Sequence, residues 1–265
     1  MTDLYYEEEG SGVPILLIPP AGSTASTWGA GVEGLAEIGR VIAYDRRGYT
    51  RSGGDPVRSI STHTADAAAV LESLATEPAV VVGTSAGAAI AVDLAARRPD
   101  LVRSVVAHEF PWRFTRHRPS LAQVAGLAAI GANVLRRRPA EAVEALLRSA
   151  YAYRDGGSAW YAFPEEWRRI ARENAQPALA DFRSSIGSYP SAADLATIDL
   201  PVYCTYGQRS PGNMFRMTRA LASAIPTALV RQVEGAGHAV LFDAPERFVE
   251  LTAGTVTPRP ELARV

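Results

Sequence analysis

Apolar residues in this chain fall into short blocks separated by longer stretches of mixed polarity. Pro14–Ile18, Arg40–Tyr44, Ala79–Val82 and Val102–Ala107 are runs of four to six residues rich in Val, Ile and Leu. Runs this short, without alternating polar residues, read as strands buried on both faces. Between them, Thr64–Ala75 and Ala86–Arg97 repeat small and aliphatic residues at helical spacing, and Pro99 stops the second. The rhythm resumes with Val202–Tyr206, a helix near Met214–Ala224, the run Ala228–Val233 and a last helix from Pro245 to Ala253. Alternation of this kind predicts an α/β fold with a mostly parallel sheet and helices on both faces.

From Pro111 to Ala196 the strand-like runs vanish. The helical segments there carry Trp112, Phe114, Tyr151, Tyr153, Trp160, Tyr161, Phe163, Trp167, Phe182 and Tyr189, ten of the chain's 21 aromatic residues. One core interrupted by a lid explains this better than two tandem domains. We therefore expect a core formed by residues 1–110 and 197–265 and a helical cap over residues 111–196. Only the tail after Gly254 reads as loose.

Composition narrows the chemistry. With 265 residues and 47% hydrophobic content the chain can fill a sizeable core, and its net charge of -1 lacks the basic excess expected of a nucleic-acid or anionic-membrane binder. All 27 basic residues are Arg. Without Lys, Schiff-base chemistry and Walker-type phosphate binding are excluded. The single Cys204 cannot form an internal disulfide and reads as an inert thiol in a core strand. The acidic start, Met1 to Gly10, does not resemble a signal peptide, and no apolar run approaches the roughly 18 residues of a membrane helix. We expect a soluble, cytoplasmic protein, monomeric or homodimeric, that acts on a small molecule without cofactor or metal.

The chemistry-bearing motif is Gly83-Thr84-Ser85-Ala86-Gly87, directly after one predicted strand and opening the next helix. A GxSxG turn at such a junction holds its serine in strained geometry above the sheet, with small neighbours to avoid clashes. The Ala86 N–H, at the helix N-terminus, would face a developing oxyanion. The bland alternative is a serine that merely caps the helix. A second oxyanion donor should come from the loop Pro19-Pro20-Ala21-Gly22-Ser23. Because proline has no N–H, the donor there must be Ala21, unless the loop is an ordinary Pro-Gly turn.

A serine hydroxyl needs a positioned base. Of four histidines, His238 in Glu234-Gly235-Ala236-Gly237-His238 follows the last predicted strand and falls after the nucleophile in chain order. His63 and His117 read as surface residues, and His108, at a strand end, as a loop-orienting hydrogen-bonder. The acid departs from the common pattern. The loop after the penultimate strand reads Gly207-Gln208-Arg209-Ser210-Pro211, with Ser210 where an Asp is usual. The nearest substitute is Glu109, at the carboxyl end of an adjacent strand, where it could accept Nδ1–H of His238. A lid-hinge Glu in water or paired with Arg113 is the competing reading, and Asp243 and Asp199 are the rival acids.

Together, Asp45-Arg46-Arg47-Gly48-Tyr49-Thr50-Arg51-Ser52, the GxSxG turn, Arg98-Pro99-Asp100 and Gly235-Ala236-Gly237-His238 make the chain resemble an α/β-hydrolase over nearly its full length. Ala107-His108-Glu109-Phe110-Pro111, with Ser210 in place of Asp, is similar to the zearalenone lactone hydrolases. The resemblance implies an α/β-hydrolase fold with a cap inserted after the sixth strand and a Ser85-His238-Glu109 triad with Ala21 and Ala86 as oxyanion donors. It also implies hydrolysis of an ester or lactone, with a resorcylic acid lactone as the sharpest expectation. A generic esterase and a non-catalytic receptor on the same fold are the alternatives. For contact with an apolar substrate we expect Trp112, Trp160, Tyr161, Phe182, Tyr189, Met214 and Phe242. The stretch Pro177-Ala178-Leu179-Ala180 lacks the cap Trp that the lactonases place against their macrolactone.

Overall fold

The computed structural model describes residues 3–112, 116–119, 121–184 and 190–256. Its sheet has seven strands: β1 (Tyr6–Glu9), β2 (Pro14–Ile18), β3 (Arg40–Tyr44), β4 (Ala79–Thr84), β5 (Val102–His108), β6 (Val202–Gly207) and β7 (Ala228–Val233). They lie in the order β1-β3-β2-β4-β5-β6-β7, with β1 antiparallel to β3 and all other pairs parallel. The helices are α1 (Ala30–Ala36), α2 (Ile60–Leu74), α3 (Ala86–Arg97), α4 (Leu121–Leu135), α5 (Pro139–Ala150), α6 (Glu165–Glu173), α7 (Ala175–Phe182), α8 (Ala192–Leu195), α9 (Gly212–Ala222), α10 (Val240–Asp243) and α11 (Pro245–Val256).

The runs of Val, Ile and Leu become strands because the sheet is covered twice. One face packs Leu16, Ile42 and Val81 against Ile90 and Leu94 of α3; the other packs Ile15, Val41 and Val80 against Leu35 and Phe248. Strand β1 had no such signal. Its sequence Tyr-Glu-Glu-Glu is exposed at every position, and it pairs along the edge through backbone bonds and the ion pair of Glu8 with Arg40 of β3. The segment holding α4 to α8 leaves the sheet after β5, the fifth strand, not after the sixth as expected. The reason is that a single described strand precedes Pro14–Ile18.

Chain order reverses between β2 and β4. Strand β3 lies on one side of β2, and the chain then crosses to place β4 on the other. In an open α/β sheet such a switch leaves a crevice at the carboxyl ends of the two strands, where ligands bind. The Pro19–Ser23 loop leaves β2 and Ser85 leaves β4 at that crevice.

Between β3 and α2 the Asp45–Ser52 segment fastens the surrounding loops. Asp45, fully buried, accepts from Ala25 N at 2.8 Å and from Arg51 Nε at 2.8 Å. The same segment reaches the helical insertion: Thr50 N and Oγ1 donate to Asn174 Oδ1, and Arg46 pairs with Asp181 of α7 at 2.6 Å. The insertion has its own small core of Val143, Leu147, Tyr151, Trp160, Phe163 and Leu179.

Candidate active site

Ser85 has φ 52° and ψ −112°, a left-handed backbone for a residue with a side chain, and makes no capping bond to α3. The helix-cap reading is thereby set aside. Its flanking glycines are sterically required: a Cβ on Gly83 would lie 2.3 Å from Gly87 O, and one on Gly87 would lie 2.0 Å from Ile18 O. The turn is thus pressed against the end of β2, which brings Ser85 and Ala86 alongside Ala21 on the wall of one cavity of about 500 Å³. His238 lines the same cavity.

Glu109 also has a positive φ, 48°, at the carboxyl end of β5. Its N–H donates to Thr205 O at 3.0 Å, and its carboxylate reaches across the end of β6. There Oε1 accepts from Gly207 N at 2.8 Å, while Oε2 lies 2.7 Å from His238 Nδ1. Glu109 is fully buried, so it is not the solvated hinge residue of the competing reading; Arg113 lies outside the described residues. Burial pushes the Glu109 carboxyl up, but His238 and His108 and the neighbouring Ser210 hydroxyl outweigh it and hold the group below its usual range. An ionised carboxylate only accepts, so the proton in this contact sits on His238 Nδ1 and the lone pair is left on Nε2.

The rival acid is committed elsewhere. Asp243 Oδ2 accepts from Gly237 N at 2.7 Å, and its Oδ1 accepts from Tyr153 OH at 2.6 Å. It shapes the loop that presents His238. His108 acts on that loop too, as expected: its Nε2 is 3.2 Å from Gly237 O and its Nδ1 is 2.9 Å from Thr205 Oγ1. Complete burial drives the His108 pKa down to about 4, so the ring is neutral and donates from Nε2 to the carbonyl. His63 is a correction. It is buried rather than on the surface, with Nε2 3.4 Å from Asp181 Oδ1, because α2 turns its polar His63 inward beneath α7. Cys204 is buried, and its thiol is pushed up to about 12.

Residues 15–251 match the sequence profile of the alpha/beta hydrolase family. The chain belongs to that family. Curated relatives include the zearalenone hydrolase of Bionectria ochroleuca, 33% identical over 119 residues that span 43% of this chain and 45% of that protein. Esterase Rv0045c of Mycobacterium tuberculosis is 26% identical over 94% of this chain and 85% of its own length. The matched stretches span about two fifths of the first curated relatives. Among solved structures, Est816, described as an N-acyl homoserine lactone degrading enzyme, superposes with a TM-score of 0.76 at 24% identity, covering 96% of both chains. At that identity the likeness shows the fold.

In this alpha/beta hydrolase the insertion supplies the cavity's apolar wall, though only in part through the expected aromatics. Phe182 and Met214 do line the cavity. Trp160 and Phe242 line a side chamber of about 50 Å³ on the far side of Tyr151 and His238. Trp112 is instead buried in the core, where its Nε1–H donates to Pro190 O at 3.0 Å, and Tyr161 is 62% exposed. Tyr189 lies outside the described residues. Residues that sequence reasoning passed over include Leu127 and Ile130 of α4, Leu146 of α5, Asp181 of α7, and Tyr151. The Tyr151 ring stands 5.5 Å from that of His238, and burial raises its hydroxyl to about 12. Among the described residues no cluster of His, Cys, Asp and Glu could hold a metal, and no helix is long and apolar enough to cross a membrane.

Proposed function

We propose that this alpha/beta hydrolase cleaves a carboxylic ester or lactone of an apolar substrate through an acyl-enzyme, with a resorcylic acid lactone as the sharpest candidate. The observation that carries the reading is the 2.7 Å contact from buried Glu109 to Nδ1 of His238, a residue that lines the same cavity as Ser85. Ser85 Oγ attacks the carbonyl as its proton passes to His238 Nε2. Glu109 accepts Nδ1–H and favours the imidazolium that forms. The Ala21 and Ala86 N–H groups hold the oxyanion, where one donor is worth about a hundredfold in rate or more. His238 then gives its proton to the leaving alkoxide, and water activated by the freed Nε2 releases the acid.

The cavity supports an apolar ligand: its volume falls in the range of about 300–1,000 Å³ typical of small-molecule sites, and its walls are mostly Leu, Ile, Met, Phe, Ala and Pro. The zearalenone hydrolase relative supports the lactone branch. Glu109 also weakens the receptor alternative: with Ser210 where an Asp is usual, a non-catalytic protein would need no acid beside His238 Nδ1.

A fluorophosphonate probe, followed by peptide mass mapping, should label Ser85 in the native protein and nothing in Ser85→Ala. A panel of p-nitrophenyl esters and zearalenone then resolves the substrate, with the ring-opened acid as the product expected from zearalenone. Cleavage of simple esters beside unchanged zearalenone would reject the lactone assignment, and no labelling at all would reject the hydrolase.

A further inference from the structure

A second set of buried charges lies beside the oxyanion loop, outside the triad. Arg46, fully buried on the segment after β3, directs one nitrogen, Nη2, at three acceptors: Asp181 Oδ2 at 2.6 Å, Tyr49 OH at 2.8 Å and the Pro20 carbonyl at 3.1 Å. Its Nε and Nη1 have no partner. Asp181 comes from α7 of the insertion, is buried, and lines the same cavity as Ser85.

Pro20 O and Ala21 N belong to one peptide unit. In a trans peptide the C=O and N–H point in opposite directions, so a group that fixes the carbonyl also aims the N–H. Ser23 N donates to the same oxygen at 3.3 Å, and a cation on the carbonyl polarises the unit and strengthens its N–H as a donor. Pro19 and Pro20 have no N–H of their own, which leaves Ala21 as the first donor of the loop.

We propose that the Arg46–Asp181 pair is a positioning device for the oxyanion hole: the insertion, through Asp181, holds the guanidinium that orients the Pro20–Ala21 peptide. The inference rests on the serine-hydrolase reading above. Seating of α7 over the cavity and readiness of the Ala21 donor then become one event, and neither Arg46 nor Asp181 touches the reacting atoms.

The test separates positioning from stability. A trifluoromethyl ketone with an apolar chain forms a hemiketal oxyanion on Ser85, whereas the matching methyl ketone binds without one. Inhibition by both is measured for the native protein, Arg46→Gln, Asp181→Asn and the double variant Arg46→Met/Asp181→Leu, alongside thermal unfolding. Each single variant leaves a buried partner uncompensated and can fail to fold. Replacing both by apolar residues leaves no unpaired charge, so the double variant should fold, with its melting temperature lowered only by the freed Tyr49, His63 and Pro20 groups. The native protein is expected to favour the trifluoromethyl ketone by about a hundredfold, and the double variant to lose at least about tenfold of that preference, read as the ratio of the two affinities so that the altered cavity lining at Asp181 affects both ketones alike. Native preference in the folded double variant, or equal weakening of both ketones, overturns the inference while leaving the hydrolase reading intact. A native protein without any preference and without fluorophosphonate labelling of Ser85 overturns both.

Discussion

The sheet's rim and the helical insertion over it hold polar groups in different ways. On the rim, Glu109 and His108 each take one backbone partner, Gly207 N and Gly237 O, and one side-chain partner, His238 and Thr205, so neighbouring strand ends and the loop of His238 fix both groups. The insertion faces the cavity with apolar side chains from α4, α5 and α7, and its one cavity-lining carboxylate, Asp181, pairs back to the core at Arg46. A rim whose polar groups are each held at two points suits chemistry, which tolerates little misplacement. A wall of flexible side chains suits selection among substrates.

The contrast predicts graded effects. Ser85→Ala should cost roughly a millionfold in kcat, by analogy with removal of a triad nucleophile elsewhere, and stopped assays against the best ester of the panel will read it. Next comes the scaffold of the rim: Gly87→Ala forces a Cβ against Ile18 O, and we expect a loss of about 10 °C or more in melting temperature. A variant that melts like the native protein would show that the turn is looser than described.

His108 gives the third effect, through pH. Its pKa falls from 6.5 to about 4 on folding, so between those values the unfolded chain binds the extra proton. Stability is therefore free of this cost above pH 6.5 and declines as pH falls toward 4, by about 3 kcal/mol in all. Denaturant titrations across that window should show a shallower slope in His108→Asn, and an unchanged slope would contradict a neutral buried ring. On the cavity wall, Phe182→Ala in the insertion or Met214→Ala on α9 should raise KM by about tenfold with kcat nearly unchanged, since an apolar contact is worth only a few methylenes of binding. Smallest of all, Tyr161→Ala should leave both constants within about twofold, as expected for an exposed side chain away from the cavity.

The rim was legible in the sequence because its requirements are local. A nucleophile turn needs Gly83 and Gly87 around Ser85, and a doubly covered sheet needs unbroken apolar runs, so Pro14–Ile18, Arg40–Tyr44 and Ala79–Val82 appear as such. Glu109 could be reached by asking which strand end lies near the vacant Asp position. The wall was less legible. Helices α4 and α5 are apolar enough to pack either way, and no pattern says which residues face a cavity and which a neighbouring helix, so Trp112 and Tyr161 were expected there while Leu127, Ile130 and Tyr151 were passed over. Asp181 and Arg46 lie 135 residues apart, and nothing local marks them as partners. The edge strand Tyr6–Glu9 was missed for a related reason: it buries nothing.

We propose that Glu109, and not Asp243, is the acid that serves His238. The direct measurement is kcat for Glu109→Gln and Asp243→Asn on one ester, with both proteins shown to be folded. We predict a loss of about ten-thousandfold for Glu109→Gln, the scale of a triad left with the wrong tautomer, and less than about tenfold for Asp243→Asn, which holds the loop and Tyr153 but not the imidazole. Near-native turnover by Glu109→Gln beside a collapse in Asp243→Asn would contradict it.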